Sequence, residues 1–428
     1  MRALALLPAA LALLPLDLRA DDWPQWGGPQ RDLVWREKGI VSKLPTDGLL
    51  PRVWSTPLGE GYSGPAVADG KVYITDLVDR AGPKGTERAF CLDAATGKEL
   101  WRHTWPVEYR IQYPAGPRAT PGVDGDRVYM LGAVGDFFCF EVATGKIVWK
   151  RNIVAEYGGN IATWGIAAPP LVDGNQLITL VGGKDGALVV SFDKTTGKEL
   201  WRALDDLAVG YCPPVIFTFG GVRQLIVWHP KAVSSLDPTD GKVLWEIPWA
   251  IRSGLCVPMP RQVGNRLFLT AFYNGPMMIE VEGKTAKVVW KGTSNDENRT
   301  DGLHSIMPTP WVTETHLYGV CSYGQLRCLD AKTGQRIWET RQPSGEGRWW
   351  NAFLVPHEDR FFIHNEQGDL IIAKLTPQGY EESSRAKLVE PTRRVQNRMT
   401  IWSHPAFAMK SVFARNDKEI VRVDLSEK

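Results

Sequence analysis

The chain is poor in the residues that build covalent or metal-held scaffolds. It has six cysteines in 428 residues, with no adjacent pair and no Cys-x-x-Cys. So sparse a set does not make a disulfide framework. The absence of that spacing, and of His-x-x-x-His, argues against a structural metal, and no metal ligand is expected. Excess charge of either sign is missing too: 50 Lys and Arg stand against 48 Asp and Glu, a net of +2. Nucleic-acid binders usually present a clustered basic face, so no nucleic-acid partner is expected. Beyond residue 20 no apolar run approaches the ~20 residues that cross a bilayer, and the mature chain should hold no transmembrane segment. No strongly helical stretch and no nucleophile motif can be found. The sequence therefore offers no catalytic residue.

The first twenty residues differ from the rest. Arg2 precedes a mostly apolar run from Ala3 to Leu16, and Leu18-Arg19-Ala20 is a small-residue cleavage site. This reads as a signal peptide over 1–20, and it implies a periplasmic or secreted protein. No cysteine lies near the site, so a lipoprotein is not expected. Residues 21–50, with Trp23 and Trp26 amid Pro and Gly, read as an extended segment docking on the remainder.

From residue 51 onward the chain repeats itself. Cys91-Leu92-Asp93-Ala94-Ala95-Thr96-Gly97-Lys98-Glu99-Leu100-Trp101 recurs in copies ending at Trp149, Trp201, Trp245 and Trp338, and a degenerate copy ends at Trp290. Periods of this size mark solenoids, propellers or arrays. Within each copy two apolar runs flank Asp-x-x-Thr-Gly-Lys. The Asp starts a turn by accepting backbone N–H groups ahead of it. The glycine supplies the positive φ that a bulged hairpin loop needs. The degenerate copy has Ala286 in that slot, so its turn should differ. A second hairpin, such as Ala66-Val67-Ala68-Asp69-Gly70-Lys71-Val72-Tyr73, precedes each copy and gives four strands per unit.

Counting inner strands gives eight units, beginning near Tyr62, Arg118, Ile166, Tyr211, Cys256, Ile306, Trp350 and Trp402. The last unit ends after a third strand, Ile420 to Leu425. An orphan strand, Pro51 to Ser55, carries Trp54 in the Trp slot. Pairing the two closes a ring and removes both sheet edges. The expected fold is all-β: an eight-bladed β-propeller of four-stranded antiparallel blades over residues 51–428. An open solenoid would leave the orphan strand unexplained. Trp54, Trp101, Trp149, Trp201, Trp245, Trp290 and Trp338 are expected to dock one blade on the next.

The Asp93-Thr96-Gly97-Lys98-Trp101 pattern resembles the tryptophan-docking repeat of pyrroloquinoline quinone (PQQ) proteins. The opening Asp22-Trp23-Pro24-Gln25-Trp26 is similar to the start of secreted bacterial PQQ-like propellers. That family holds quinoprotein alcohol dehydrogenases and also the non-catalytic BamB-like assembly factors. The resemblance implies a propeller but leaves two functions open. One is a binding or assembly scaffold for a protein, peptide or glycan ligand at the propeller mouth, with no cofactor. The other is a PQQ- and calcium-dependent oxidoreductase acting on alcohols or sugars. The adjacent Cys-Cys pair of the dehydrogenases is absent, and their catalytic set does not map onto this chain. The scaffold reading is therefore preferred. Loops between one blade's last strand and the next blade's first should share the mouth, and the candidate ligand residues there are Arg118, Trp164, Tyr211, Arg252, His304, Arg348, Trp350 and Trp402.

Overall fold

A computed structural model describes residues 22–428. The segment read as a signal peptide lies outside the described residues.

Eight four-stranded antiparallel sheets form a ring. Blade one comprises Ala66–Ala68, Lys71–Ala81, Lys84–Asp93 and Glu99–Glu108. Blades two to seven repeat this order, ending at the outer strands Ile147–Asn152, Glu199–Ala203, Val243–Pro248, Thr285–Lys291, Arg336–Thr340 and Gly379–Lys387. Blade eight takes three strands from Ala406–Ala408, Ser411–Arg415 and Glu419–Asp424, and its fourth is Trp54–Pro57. Trp54 stands opposite Arg422, so the ring closes between the two ends of the propeller sequence.

Turn chemistry explains the repeat. Asp93 Oδ1 accepts the N–H groups of Ala95 and Thr96 at 3.1 and 2.8 Å and the Thr96 hydroxyl at 2.7 Å. Gly97 follows at φ 72°, and the ladder bulges between Cys91 and Leu92. The degenerate copy replaces this with a tight loop between Glu282 and Thr285, with Gly283 at φ 56°.

The tryptophans join the blades. Trp54 Nε1 donates to Ala94 O at 2.9 Å, Trp101 to Val142 O at 2.9 Å and Trp149 to Lys194 O at 3.1 Å, each across a blade boundary. Trp290 donates to Ala331 O at 3.1 Å and Trp338 to Thr376 O at 2.8 Å. A Cβ built on Gly145 would lie 2.6 Å from the Trp101 ring, so only glycine lets the indole lie flat on the next turn. Trp201 and Trp245 use a relay instead. Their N–H groups donate to Gln176 and Gln224 in their own blades, and those amides donate onward to Pro238 O and Gly283 O.

The small-residue slot varies in step with this difference. Cys91, Cys139 and Cys328 pair with Tyr73, Tyr129 and Tyr318 on the neighbouring strand. Ser191 and Ser235 instead donate to the relay glutamines. All six cysteines are buried free thiols.

Blade seven has no docking tryptophan. Trp35, arriving from the segment before the ring, fills the joint between blades seven and eight, with its ring 5.0 Å from Phe362 and 4.9 Å from Phe407. The sequence reading did not anticipate three further elements, a single helical turn over Ile153–Glu156, a 3-10 turn over Arg252–Gly254 and a small hairpin of Arg393–Val395 with Arg398–Thr400.

Candidate functional site: an aromatic cup on the propeller axis

The segments leading into the first strands of the blades converge on the axis and leave a cup of about 210 Å³. Its lower end is covered by Trp26. The segment carrying Trp26 is held by buried Arg31, whose guanidinium donates to Pro169 O at 2.9 Å and Pro170 O at 3.1 Å. Burial lowers the pKa of Arg31 to about 10, which leaves it charged at neutral pH. The wall holds Ala167, Pro213, Val257, Ile306 and Phe353. At the upper end stand Tyr62, Tyr113, Trp349 and Trp402. Tyr113 contacts Trp349 at 5.8 Å and Trp402 at 5.7 Å, both edge-to-face, and Trp349 meets Trp402 at 6.4 Å.

Two of these rings are held at a conformational cost. Tyr113 has φ 50° and Trp349 has φ 64°. Bulky residues in the left-handed region are rare, and they persist where surrounding structure fixes them, commonly at functional sites. Trp349 is fixed by its N–H to Ser322 O at 3.0 Å. Three carbonyls of the loop carrying Tyr113 are gathered by Arg118. Its Nη1 donates to Gly116 O at 2.6 Å, and its Nη2 donates to Gln112 O at 3.1 Å and Tyr113 O at 2.6 Å.

Four of the eight candidate residues line the cup: Arg118, Trp164, Tyr211 and Trp402. The other four lie elsewhere. Arg252 is exposed and lies over the Tyr273 ring at 4.2 Å. Arg348 pairs with Glu297 at 2.9 Å and covers Trp349 from outside at 4.5 Å. Trp350 is buried behind the wall, because the left-handed turn at Trp349 sends its neighbour away from the axis, and Arg398 lies over its ring. His304 is fully buried, between Phe272 O and Asp301 Oδ1, each at 3.2 Å. Burial lowers the His304 pKa, and Asp301 partly offsets this. Burial acts to raise Asp301, but hydrogen bonds from His304, Thr293 and Ser294 outweigh it and hold the carboxyl at about 2.

Sequence reasoning missed Trp26, Phe353 and His404 as lining residues. Their approach to the axis depends on the path of the segment before the ring and on blades with irregular spacing. His404 is half-buried, with Nδ1 2.8 Å from Pro405 O, and desolvation lowers its pKa to about 4. It therefore faces the cup neutral, as an acceptor at Nε2.

The cup does not fit the quinone cofactor of the wider family. That group needs cations for its carboxylates, oxygen ligands for a metal, and a base. No Asp, Glu, Asn, Gln or Lys lines the cup, and its one cation is already bonded to three carbonyls. Among the described residues no cluster of His, Cys, Asp and Glu could hold a metal ion.

A serine-histidine-aspartate array does occur in blade four, outside the cup. His229 Nδ1 lies 3.2 Å from Asp206 Oδ2, and its Nε2 lies 3.3 Å from Ser234 Oγ. Ser234 is fully buried and donates to Glu246 at 2.8 Å, so no substrate reaches its oxygen.

Among curated protein sequences none matches the chain. The fold is similar to BamB from Moraxella catarrhalis, at a TM-score of 0.57 and 14% identity, covering 88% of this chain and 97% of that one. It is also similar to the quinohemoprotein alcohol dehydrogenase of Comamonas testosteroni, at 0.62 and 13%, covering 95% and 81%. A computationally designed protein, Ika8, matches at 0.55 and 11%, covering 88% and 98%. At these identities the likeness is one of fold. A family model described as outer membrane protein assembly factor BamB matches residues 37–119, 85–340 and 229–428. With that match spread over nearly the whole propeller, the chain belongs to the PQQ-like, BamB-type family of β-propellers.

Proposed function

We infer that this protein is a periplasmic or secreted binding scaffold whose recognition face is the propeller mouth, where the cup takes one apolar group of a ligand. The observation that carries this reading is the pair Tyr113 and Trp349. Two bulky rings are held in the left-handed region where they face each other at the mouth. Packing alone would not select that conformation twice at one rim. The lining supports binding over turnover, because it offers aromatic and aliphatic surface with few polar groups and no carboxylate. Aromatic residues and arginine are the usual anchors of recognition surfaces. The family description fits protein partners, and a peptide or glycan would meet the same rim.

The alternative, a PQQ- and calcium-dependent oxidoreductase, is tested directly. The full chain is mixed with PQQ and Ca²⁺ and assayed for dye-linked oxidation of primary alcohols and sugars, with calorimetric titration of PQQ alongside. Neither turnover nor PQQ binding is expected. Turnover abolished by Trp349→Ala or Trp402→Ala would reverse the inference.

A further inference from the structure

The charges around the cup are not balanced. Four arginines surround its mouth. Arg348 pairs with Glu297, Arg393 with Asp417 and Arg398 with Glu366. Arg118 makes no ion pair among the described residues, although it is the one that lines the cup. A guanidinium has five N–H groups. Three are spent on the Gly116, Gln112 and Tyr113 carbonyls, which leaves two. Burial lowers its pKa, with the Arg393 cation adding to the shift and Tyr62, Tyr109 and Glu87 opposing it. Its plane lies over Tyr62 at 4.9 Å, which fixes it against the wall.

Hydrogen-bonding capacity is skewed in the same direction. Trp349 Nε1 and Tyr62 Oη are buried without a partner, and both residues line the cup. Buried donors left unpaired are uncommon, and they call for a group that accepts. Against these donors the cup sets His404 Nε2 but no carboxylate or amide oxygen. A cationic ligand would find no counter-charge, whereas an anion would meet a surplus of donors at the rim.

Size and shape narrow the ligand further. A dry cavity of roughly 150 Å³ is enough to bind benzene. At about 210 Å³ this cup has room for one or two fused rings, with Trp26 part of its lining. Tyr113, Trp349 and Trp402 stand at 63° to 75° to one another, so a flat ring between them meets both faces and edges.

We propose that the cup binds a small aromatic carboxylate, with the ring held among Tyr113, Trp349 and Trp402 and the carboxylate directed to Arg118. The proposal rests on the cup being a ligand site, and the test separates the two.

Full-length protein is titrated calorimetrically with 1-naphthoate, 1-naphthalenemethanol and 1-naphthylmethylammonium, three probes of one shape and different charge. Naphthoate should bind about tenfold or more tighter than the alcohol, the ratio expected of a charge-assisted hydrogen bond. The ammonium should bind weakest. Equal affinity for naphthoate and the alcohol would overturn the carboxylate proposal and leave the cup as a site. Failure of all three would overturn the cup itself. Arg118→Gln should bring naphthoate down to the level of the alcohol without weakening the alcohol. Because Arg118 also gathers the Tyr113 loop, salt provides a second measurement on the native chain. Raising NaCl should weaken naphthoate and spare the alcohol, and salt-independent naphthoate binding would refute the charge contact. Met307→Trp, which fills the cup, should abolish binding of all three, and undiminished naphthoate binding would place the site elsewhere.

Discussion

Replacing Trp54 with alanine tests the ring closure where it is most exposed to failure. Trp54 is 8% exposed, and its indole lies on Gly97 of blade one while its strand completes blade eight. Truncating a buried aromatic side chain to alanine costs ~3–5 kcal/mol. The lost N–H bond to Ala94 O adds about 1 kcal/mol. That carbonyl keeps a second donor, Arg422 Nη1 at 3.0 Å, so no buried acceptor is orphaned and the additional penalty is avoided. The expected loss is therefore about 5 kcal/mol. Urea denaturation followed by far-ultraviolet circular dichroism measures it. The variant should also differ from Trp101→Ala, which removes equivalent contacts inside the ring. Trp54 lies on a strand of four residues paired on one side only, so its loss frees the edge of Glu419–Asp424. Trp54→Ala should accordingly raise early proteolysis before residue 58 and produce concentration-dependent dimers in sedimentation, whereas Trp101→Ala should do neither. A loss below about 1 kcal/mol, or identical behaviour of the two variants, would refute the argument that this strand closes the ring.

Two further outcomes follow from the geometry. Gly145→Ala places a Cβ 2.6 Å from the Trp101 ring at a backbone φ of 71°, and should cost at least ~2 kcal/mol in the same denaturation assay, whereas Gly125→Ala, with open space around it, should cost about 1 kcal/mol. Glu87 is fully buried between blades one and two, bonded to Tyr109 and to Ala133 N at 3.0 Å, and burial raises its pKa to about 7. Its folded value lies above the unfolded one, so the stability tied to its proton is complete below about pH 4.5 and is lost as pH rises through about 7. The denaturation midpoint should fall over that window by an amount equivalent to ~3 kcal/mol, and Glu87→Gln should flatten the profile.

The fold was legible because a propeller writes its geometry into its turns. Asp93, Gly97 and Trp101 each have a local physical task, and the task recurs wherever the residues do. Ring closure was legible for a related reason, since Trp54 occupies a repeat slot outside any complete unit. The cup was legible only in part. Arg118, Tyr211 and Trp402 start their blades, and their count from the repeat brings them to the axis. Trp349 and Trp350 could not be told apart, because which ring faces inward depends on one left-handed residue that nothing in the local sequence specifies. His304 shares a loop with mouth residues but turns between blades, where Asp301 and the Phe272 carbonyl satisfy it. Trp26 belongs to no repeat, and only the course of the chain beneath the ring brings it to the cup.

That course has a mechanical meaning. Between Trp23 and Ile40 the chain bonds in turn to Val67, Val123, Pro169, Arg261, Pro356 and Ser426, which belong to or adjoin blades one, two, three, five, seven and eight. Sectors on opposite sides of the wheel are thus lashed together by one cord running under the hub. A hoop braced in this way resists becoming wider or oval, because every spoke that moves outward must stretch the same cord. The bore above it keeps a constant calibre.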